Sequence, residues 1–326
     1  MPRVVYFDET GGPDVLHLAD DPIAEPNAGE VRVRLEAAGI NQLDELMRSG
    51  AFPRPIRLPH ARIGCEGTGI VDAIGPDVTD VQVGDAVIIA AVPEMERDGT
   101  YAEYTVVPAN AVIPRPAGLD AVSAAALWVA SSTAYGALVE KSGMRPGDHV
   151  LITAASSSVG LAAIQVANQL GAVPIAVTRS AAKREALLAA GAADVIVSEE
   201  THVAESARAL TGGLGVDIIL DAVMGPGLAD LATAARFGGT LVTVGWLDPR
   251  PAPMPMSAPL TIHRYMGFEH TLDPVVVRRM AAFIAAGVRI GAIRPAIDTV
   301  FDLEHAADAH RHLVERTQMG KIVLTI

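Results

Sequence analysis

The chain has 326 residues, half of them hydrophobic but only 4% aromatic, and a net charge of -13. That length fits about two domains, the Ala/Val/Leu/Ile core fits an α/β chain, and the charge argues against nucleic acid and anionic membrane surfaces. The single cysteine, Cys65, rules out an intrachain disulfide framework and a multi-cysteine zinc site. The opening residues MPRVVYFDETGG contain no apolar h-region, so no signal peptide and a cytoplasmic location are expected.

Residues 2 to about 118 read as short strands between turns. Val4–Phe7, Glu30–Ala37, Gly67–Ile74, Ala86–Ala90 and Ala102–Val107 are β-branched or alternating runs. Dense punctuation separates them: Gly11-Gly12-Pro13, Pro26-Asn27, Gly75-Pro76-Asp77 and Gly84-Asp85. Asn41 to Arg48 is a short helical segment with Asn41 as its N-cap. The region 1–119 is expected to form a β-barrel-like domain.

From Asp120 the pattern changes to strands alternating with helices. Ala121 to Val139 carries no charge and is nearly long enough to cross a bilayer. Its Ala, Ser and Thr content and lack of flanking basic clusters make a buried helical region the expectation. Beyond it come Ser180–Leu188, Asp194–Val197, Val203–Leu210, Asp217–Asp221, Gly227–Ala235, Leu241–Val244 and Val275–Ala286. Such alternation predicts a parallel, doubly wound sheet over 120–289. The tail, 290–326, offers a strand-like start at Ala296, a helix near His305–Arg316 and a strand Lys321–Thr325. It is expected to rejoin the first domain.

The stretch 148–183 carries the ligand chemistry. An apolar run, Val150–Thr153, leads through the small-residue turn Ala154–Ser158 into an apolar-periodic helix, Val159–Leu170. Gly171 stands where a helix C-terminus takes positive φ, and Val173–Val177 closes a βαβ unit. N–H groups at a helix start attract a pyrophosphate, so Ser156, Ser157, Ser158 and Val159 are candidate cofactor contacts. Of the three positions in the G-x-G-x-x-G register, held by Ala155, Ser157 and Gly160, only the last keeps its glycine. At the tip of the second strand an NAD site places an acid for the ribose 2′-hydroxyl. Here stand Thr178, Arg179, Ser180 and then Lys183, with no carboxylate before Glu185. Two cations and two hydroxyls suit a 2′-phosphate, so NADPH is the expected cofactor. The plainer reading, solvated helix-start residues, leaves unexplained why cations oppose the helix dipole there.

Five segments carry a resemblance over essentially the whole chain: GINQLDELMRSGAFPRP (39–55), IGCEGTGIVDAIGPDVTDVQVGDAV (63–87), GTYAEYTVVPANAVIPRP (99–116), STAYGALVEKSGMRPGDHVLITAASSSVG (132–160) and GKIVLTI (320–326). The chain resembles the medium-chain dehydrogenase/reductase superfamily in its zinc-independent quinone oxidoreductase branch, to which zeta-crystallin belongs. The resemblance implies a GroES-like catalytic domain joined to a Rossmann NADP-binding domain, and a homodimer through the Rossmann domain with Leu260–Phe268 as its candidate edge. In zinc-binding relatives a Cys stands where this chain has Asn41, and a His where it has Cys65; Glu66 remains. Asn41 is a poor zinc ligand and a catalytic zinc needs about three protein ligands, so no metal is expected. Cys65 and Glu66 read as a buried thiol and a paired core carboxylate.

The resemblance also assigns roles. Asn41 is implied near the nicotinamide, either as a donor to a substrate carbonyl or as a cofactor contact. Thr133 is implied to touch the cofactor, with Gly245, Leu247 and Phe268 around the nicotinamide. Phe52, Trp128 and Trp246 are candidate substrate-lining residues, and Phe52 lacks the hydroxyl that relatives often carry. Tyr101 is another candidate donor, though a tyrosine between Gly99 and Ala102 in a strand reads as structural, and Asp44 reads as either a capping group or a surface acid. The implied activity is NADPH-dependent hydride transfer to a quinone or to the C=C of an α,β-unsaturated carbonyl compound. An alcohol dehydrogenase and a non-catalytic, crystallin-like NADPH-binding protein are the alternatives.

Overall fold

The computed structural model describes residues 1–256 and 259–326 and divides them into two compact units, Met1–Val129 with Pro295–Ile326, and Ala130–Arg294. The division falls ten residues later than the pattern change at Asp120 implied. Its cause is the short helix Ala121–Ala125, whose Ala125 joins Ala37 and Val323 in a buried cluster of the first unit. The apolar stretch is also no single α-helix. It runs as Ala121–Ala125, Trp128–Tyr135 and a π-helical turn Gly136–Lys141. Over 121–141 it is apolar enough to cross a membrane, yet 72% of its most apolar window is buried within the protein, as in a core helix.

The first unit is mainly antiparallel. Its larger sheet runs Ile297–Asp302, Lys321–Thr325, Glu30–Ile40, Gly67–Ile74, Ala86–Ile89 and Val112–Pro114, and Tyr104–Pro108 also pairs with Glu30–Ile40. A smaller sheet holds His17–Asp20, Arg3–Phe7 and Ala61–Arg62. The strand Glu30–Ile40 alternates buried residues with part-buried or exposed ones until Ala37, then buries every residue to Ile40. That change marks where it becomes central: Ile40 lies opposite Ile322, and Ala38 opposite both Gly67 and Leu324. The tail thus supplies two adjoining strands at one end of the sheet and delivers Lys321 beside residue 41.

The second unit is a six-stranded, wholly parallel sheet. With its strands numbered by sequence, the spatial order is 3-2-1-4-5-6: Asp194–Val197, Val173–Thr178, His149–Ile152, Val216–Asp221, Ala235–Thr243 and Thr261–Arg264. The buried runs VLI and PIAVT explain this, since strands covered on both faces need no polar alternation. The order reverses between His149–Ile152 and Val216–Asp221, which is where ligands bind sheets of this kind. Two expected elements differ. Ser180–Leu188 is a 3₁₀ turn, Ala181–Lys183, followed by the helix Arg184–Ala189. Strand five starts at Ala235 rather than Leu241, and its added residues Arg236–Gly238 are exposed, which hid them from a search for apolar runs.

Candidate functional site

Each unit carries a polar cluster at its candidate site. In the second unit it is the turn after the first strand. The helix Ser158–Leu170 is capped by Ser157, whose Oγ accepts the Gly160 N–H at 3.1 Å, leaving the hydroxyl hydrogen to donate elsewhere. A Cβ added at Gly160 would lie 2.6 Å from Ala154 O and from Ala155 Cα, so only glycine lets helix and turn pack this closely. Helix dipole, capping serine and close-packed turn together fit a pyrophosphate.

At the tip of the second strand, Thr178 is buried while Arg179 and Ser180 are exposed. The Ser180 Oγ accepts the Ala182 N–H at 3.3 Å, and Lys183 Nζ donates to Ser156 Oγ at 3.1 Å, which ties the cationic tip to the turn. Acids are closer in space than in sequence. The Glu199 N–H donates to the Arg179 carbonyl at 3.4 Å, and the Glu200 carboxylate takes Arg184 at 3.2 Å. Sequence reasoning confined to one strand tip missed both, because they end the neighbouring strand.

The reversal point is held by Asp221, wholly buried, whose Oδ1 accepts from Thr153 Oγ1 at 2.7 Å and whose Oδ2 accepts the Met224 N–H at 2.8 Å. Neither Thr153 nor Asp221 was singled out from sequence. Gly245 packs toward this loop, since a Cβ there would sit 3.0 Å from Ala222 O, and the Leu247 N–H donates to the same carbonyl at 3.1 Å. Trp246 is half-buried with the Arg264 guanidinium 4.6 Å above its ring. Thr133 is half-buried in the helix Trp128–Tyr135, and Phe268 half-buried at the start of the short helix Phe268–Thr271.

In the first unit, Asn41, Cys65 and Glu66 are brought together as expected, with a partner that sequence reasoning missed. Lys321 Nζ donates to Glu66 Oε1 at 2.5 Å and to Asn41 Oδ1 at 2.6 Å, and both Lys321 and Glu66 are 1% exposed. Glu66 is therefore the paired core carboxylate expected of it. Its Oε2 accepts the Val129 N–H at 2.8 Å. A lysine has only hydrogens to offer, so the Asn41 oxygen must face Lys321 and its nitrogen must face inward. Nδ2 lies 2.9 Å from Glu66 Oε1, 3.2 Å from Cys65 Sγ and 3.3 Å from Gly39 O. Three inward acceptors thus share the two hydrogens of Nδ2.

With its side chain so engaged, Asn41 begins the helix Gln42–Ser49 through its backbone, its N–H donating to Asp44 Oδ2 at 2.8 Å. Asp44 is wholly buried rather than a surface acid, and Oδ2 also accepts from Tyr101 Oη at 3.1 Å. His310 Nε2 lies 3.3 Å from that hydroxyl, while Arg48 Nε donates to His310 Nδ1 at 3.2 Å, which leaves the imidazole proton on Nε2. Burial pushes the Asp44 carboxyl up to about 7 against the pull of the Asn41 N–H and the Tyr101 hydroxyl. Burial also raises the Tyr101 hydroxyl and, with Asp44 and Glu66 nearby, the Cys65 thiol well above their usual ranges. It lowers His310 to about 3, helped by Arg48.

Two expected lining residues part company. Phe52 is half-buried under the Arg54 guanidinium and borders an open cavity of about 330 Å³ with Thr10, Pro53, Ile56 and Leu58. Trp128 is 1% exposed and donates its indole N–H to Ala90 O at 2.8 Å. It packs as a core residue.

The sheet order 3-2-1-4-5-6, joined to a largely antiparallel β unit, defines the class: a Rossmann domain paired with a GroES-like one, as in dehydrogenases and reductases. Residues 27–117 match the alcohol dehydrogenase GroES-like domain, and residues 158–272 match the zinc-binding dehydrogenase family. The chain is 30% identical to the quinone oxidoreductase of Lama guanicoe, over 99% of this chain and 97% of that one. Among solved structures, it is similar to a mycobacterial protein complexed with NADPH, at 30% identity and a TM-score of 0.91. An NAD-dependent alcohol dehydrogenase stands at 33% and 0.86. Both comparisons cover all of each chain. The chain belongs to the medium-chain dehydrogenase/reductase superfamily and is quinone oxidoreductase-like.

Proposed function

We propose that the protein is an NADPH-dependent oxidoreductase acting on a quinone or on the C=C of an α,β-unsaturated carbonyl compound. The observation that carries this reading is the cationic tip: exposed Arg179 and Ser180, with Lys183 reaching Ser156 at the head of a phosphate-ready helix. A 2′-phosphate has its charge met there, whereas a bare ribose diol has no acid on that strand to accept its hydrogen bonds. The names of the llama relative and of the NADPH-bound neighbour support the same class of chemistry. NADPH, when bound, supplies the hydride.

The protein's own part is orientation. The N-terminus of the helix Ser158–Leu170, through Ser156, Ser157, Ser158 and Val159, holds the pyrophosphate. Thr178, Arg179, Ser180 and Lys183 hold the adenosine phosphate end. Thr133, Gly245, Leu247 and Phe268 are assigned to the nicotinamide end, and Phe52 and Trp246 to the substrate. Asn41, which also meets Glu66 and Lys321, is assigned either as a donor to the substrate carbonyl or as a cofactor contact. The proton that follows the hydride comes from water, because Phe52 has no hydroxyl and the Tyr101 hydroxyl is buried against Asp44.

Steady-state oxidation of NADPH against a panel of quinones and enones tests the reading, with NAD⁺-dependent alcohol oxidation run beside it. Turnover of a quinone or enone is expected. Alcohol oxidation alone would favour the dehydrogenase reading that the NAD-dependent neighbour represents, and tight NADPH binding without turnover would favour a binding protein. We also infer a homodimer. Thr261–Arg264 ends the parallel sheet, and Phe237, Met254, Met256 and Met266, on or near the last two strands, are exposed. About 800 Å² or more should be buried per partner. A monomer in analytical ultracentrifugation at micromolar concentration refutes it.

A further inference from the structure

The match to a zinc-binding dehydrogenase family raises the question of what stands where such relatives hold their metal. Those positions are Asn41, Cys65 and Glu66, and they do not fit a divalent ion. Asn41 turns its oxygen to an ammonium and its nitrogen to Glu66. Glu66 accepts from Lys321, Asn41 and the Val129 backbone, so both its oxygens are occupied. Cys65 is buried and its Sγ is engaged by Asn41 Nδ2 at 3.2 Å. Among the described residues no three of His, Cys, Asp or Glu gather closely enough to hold a metal.

We propose that the Lys321 ammonium is the resident cation of this site, taking the place of a metal and keeping metals out. Its position is built by the fold. Lys321 opens the interior strand Lys321–Thr325, its N–H donates to Ala296 O at 2.8 Å, and the next residue, Ile322, sits opposite Ile40. The chain has only three lysines, Lys141, Lys183 and Lys321, and most of its cations are arginines. The ammonium is a compact point charge on a long stem, and it reaches a single carboxylate oxygen here where a planar guanidinium would need a wider, two-pronged partner. A divalent ion entering beside it would meet a like charge a few ångströms away in a dry site and would have to strip Glu66 of its partner.

The test uses the full chain and zinc itself. With three lysines, ¹⁵N-resolved NMR of the ammonium groups can single out Lys321 by its loss in Lys321→Met. Its signal is expected to exchange slowly and to stay unchanged when Zn²⁺ is added in excess, and purified wild-type protein should hold no stoichiometric zinc. In Lys321→Met, which retains Cys65 and Glu66, competition with a chromophoric chelator should show Zn²⁺ binding at least about tenfold tighter than in the wild type, a step of about 1.4 kcal/mol. Three results would each overturn the proposal: stoichiometric zinc in the wild type, a Lys321 signal that zinc displaces, or a folded Lys321→Met with no gain in affinity. Should that variant not fold, Lys321→Arg supplies the assignment, and the wild-type signal and metal content decide alone.

Discussion

The polar clusters of the two units are built on opposite plans. In the first unit, Asn41, Asp44, Glu66, Tyr101, His310 and Lys321 are all buried and bonded largely to one another. In the second, Arg179 and Ser180 are exposed and three serines stand half-buried at a helix N-terminus. Residue type does not separate the two, since each combines cations with hydroxyls or amides. Burial does: a closed cluster spends its hydrogen bonds on itself and fixes a shape, while an open one keeps donors for a ligand that arrives.

Breaking the closed cluster should have the largest effect. Glu66→Gln keeps the side-chain shape but leaves the Lys321 ammonium without its carboxylate, and should cost about 3–5 kcal/mol in urea unfolding. A loss under about 1 kcal/mol would put this pair with solvent-exposed ones and end the comparison.

The next effect is a matter of sign. Asp44, raised to about 7 from 3.8, binds a proton in the native state that the unfolded chain has lost, so its contribution falls as pH rises across that interval. His310, lowered to about 3 from 6.5, does the reverse: the unfolded chain binds the extra proton, and stability rises with pH. Between about pH 4 and 6.5 the two should cancel. Asp44→Asn should therefore leave a slope of about +1.4 kcal/mol per pH unit in unfolding free energy, and His310→Gln about -1.4. Urea melts at pH 4.5 and 6.5 read both, and slopes of the same sign would refute the opposed pair.

The open cluster should respond in affinity alone. Arg179→Ala is expected to weaken NADPH binding by about 1.5–3 kcal/mol, the range for bonds to a charged group, with NADH affinity and thermal stability nearly unchanged. Equal losses for both cofactors would show that Arg179 does not read the 2′-phosphate.

What the sequence made legible follows the same division. Gly67–Ile74, Asp194–Val197, Val203–Leu210 and Lys321–Thr325 have the bounds that alternation and apolar runs predict, because each repeats a local period. The turn at Ser157 and Gly160 was legible too, since its chemistry lies within a few residues. The closed cluster was not: Lys321 meets its partners across 255 and 280 positions, and His310 meets Arg48 across 262. One local sign was present, a lysine opening an otherwise apolar strand, KIVLT, where a cation needs a buried counter-charge. Trp128 shows the opposite case, because an indole can find its hydrogen bond inside a core as readily as at a ligand.

The placement of Lys321–Thr325 between Ile297–Asp302 and Glu30–Ile40 bears on how the chain is made. Residues 130–294 form one uninterrupted segment and can complete their sheet as soon as they leave the ribosome. Most of the first unit emerges earlier yet lacks an interior strand until everything between has been translated, about 10–40 s at 5–20 residues per second. For that interval the apolar end of Glu30–Ile40 presents an unpaired edge at Ala37–Ile40, to whatever else is nearby. Release before Lys321–Thr325 is translated should therefore yield a protein whose second unit is folded while its first unit is open and prone to aggregate.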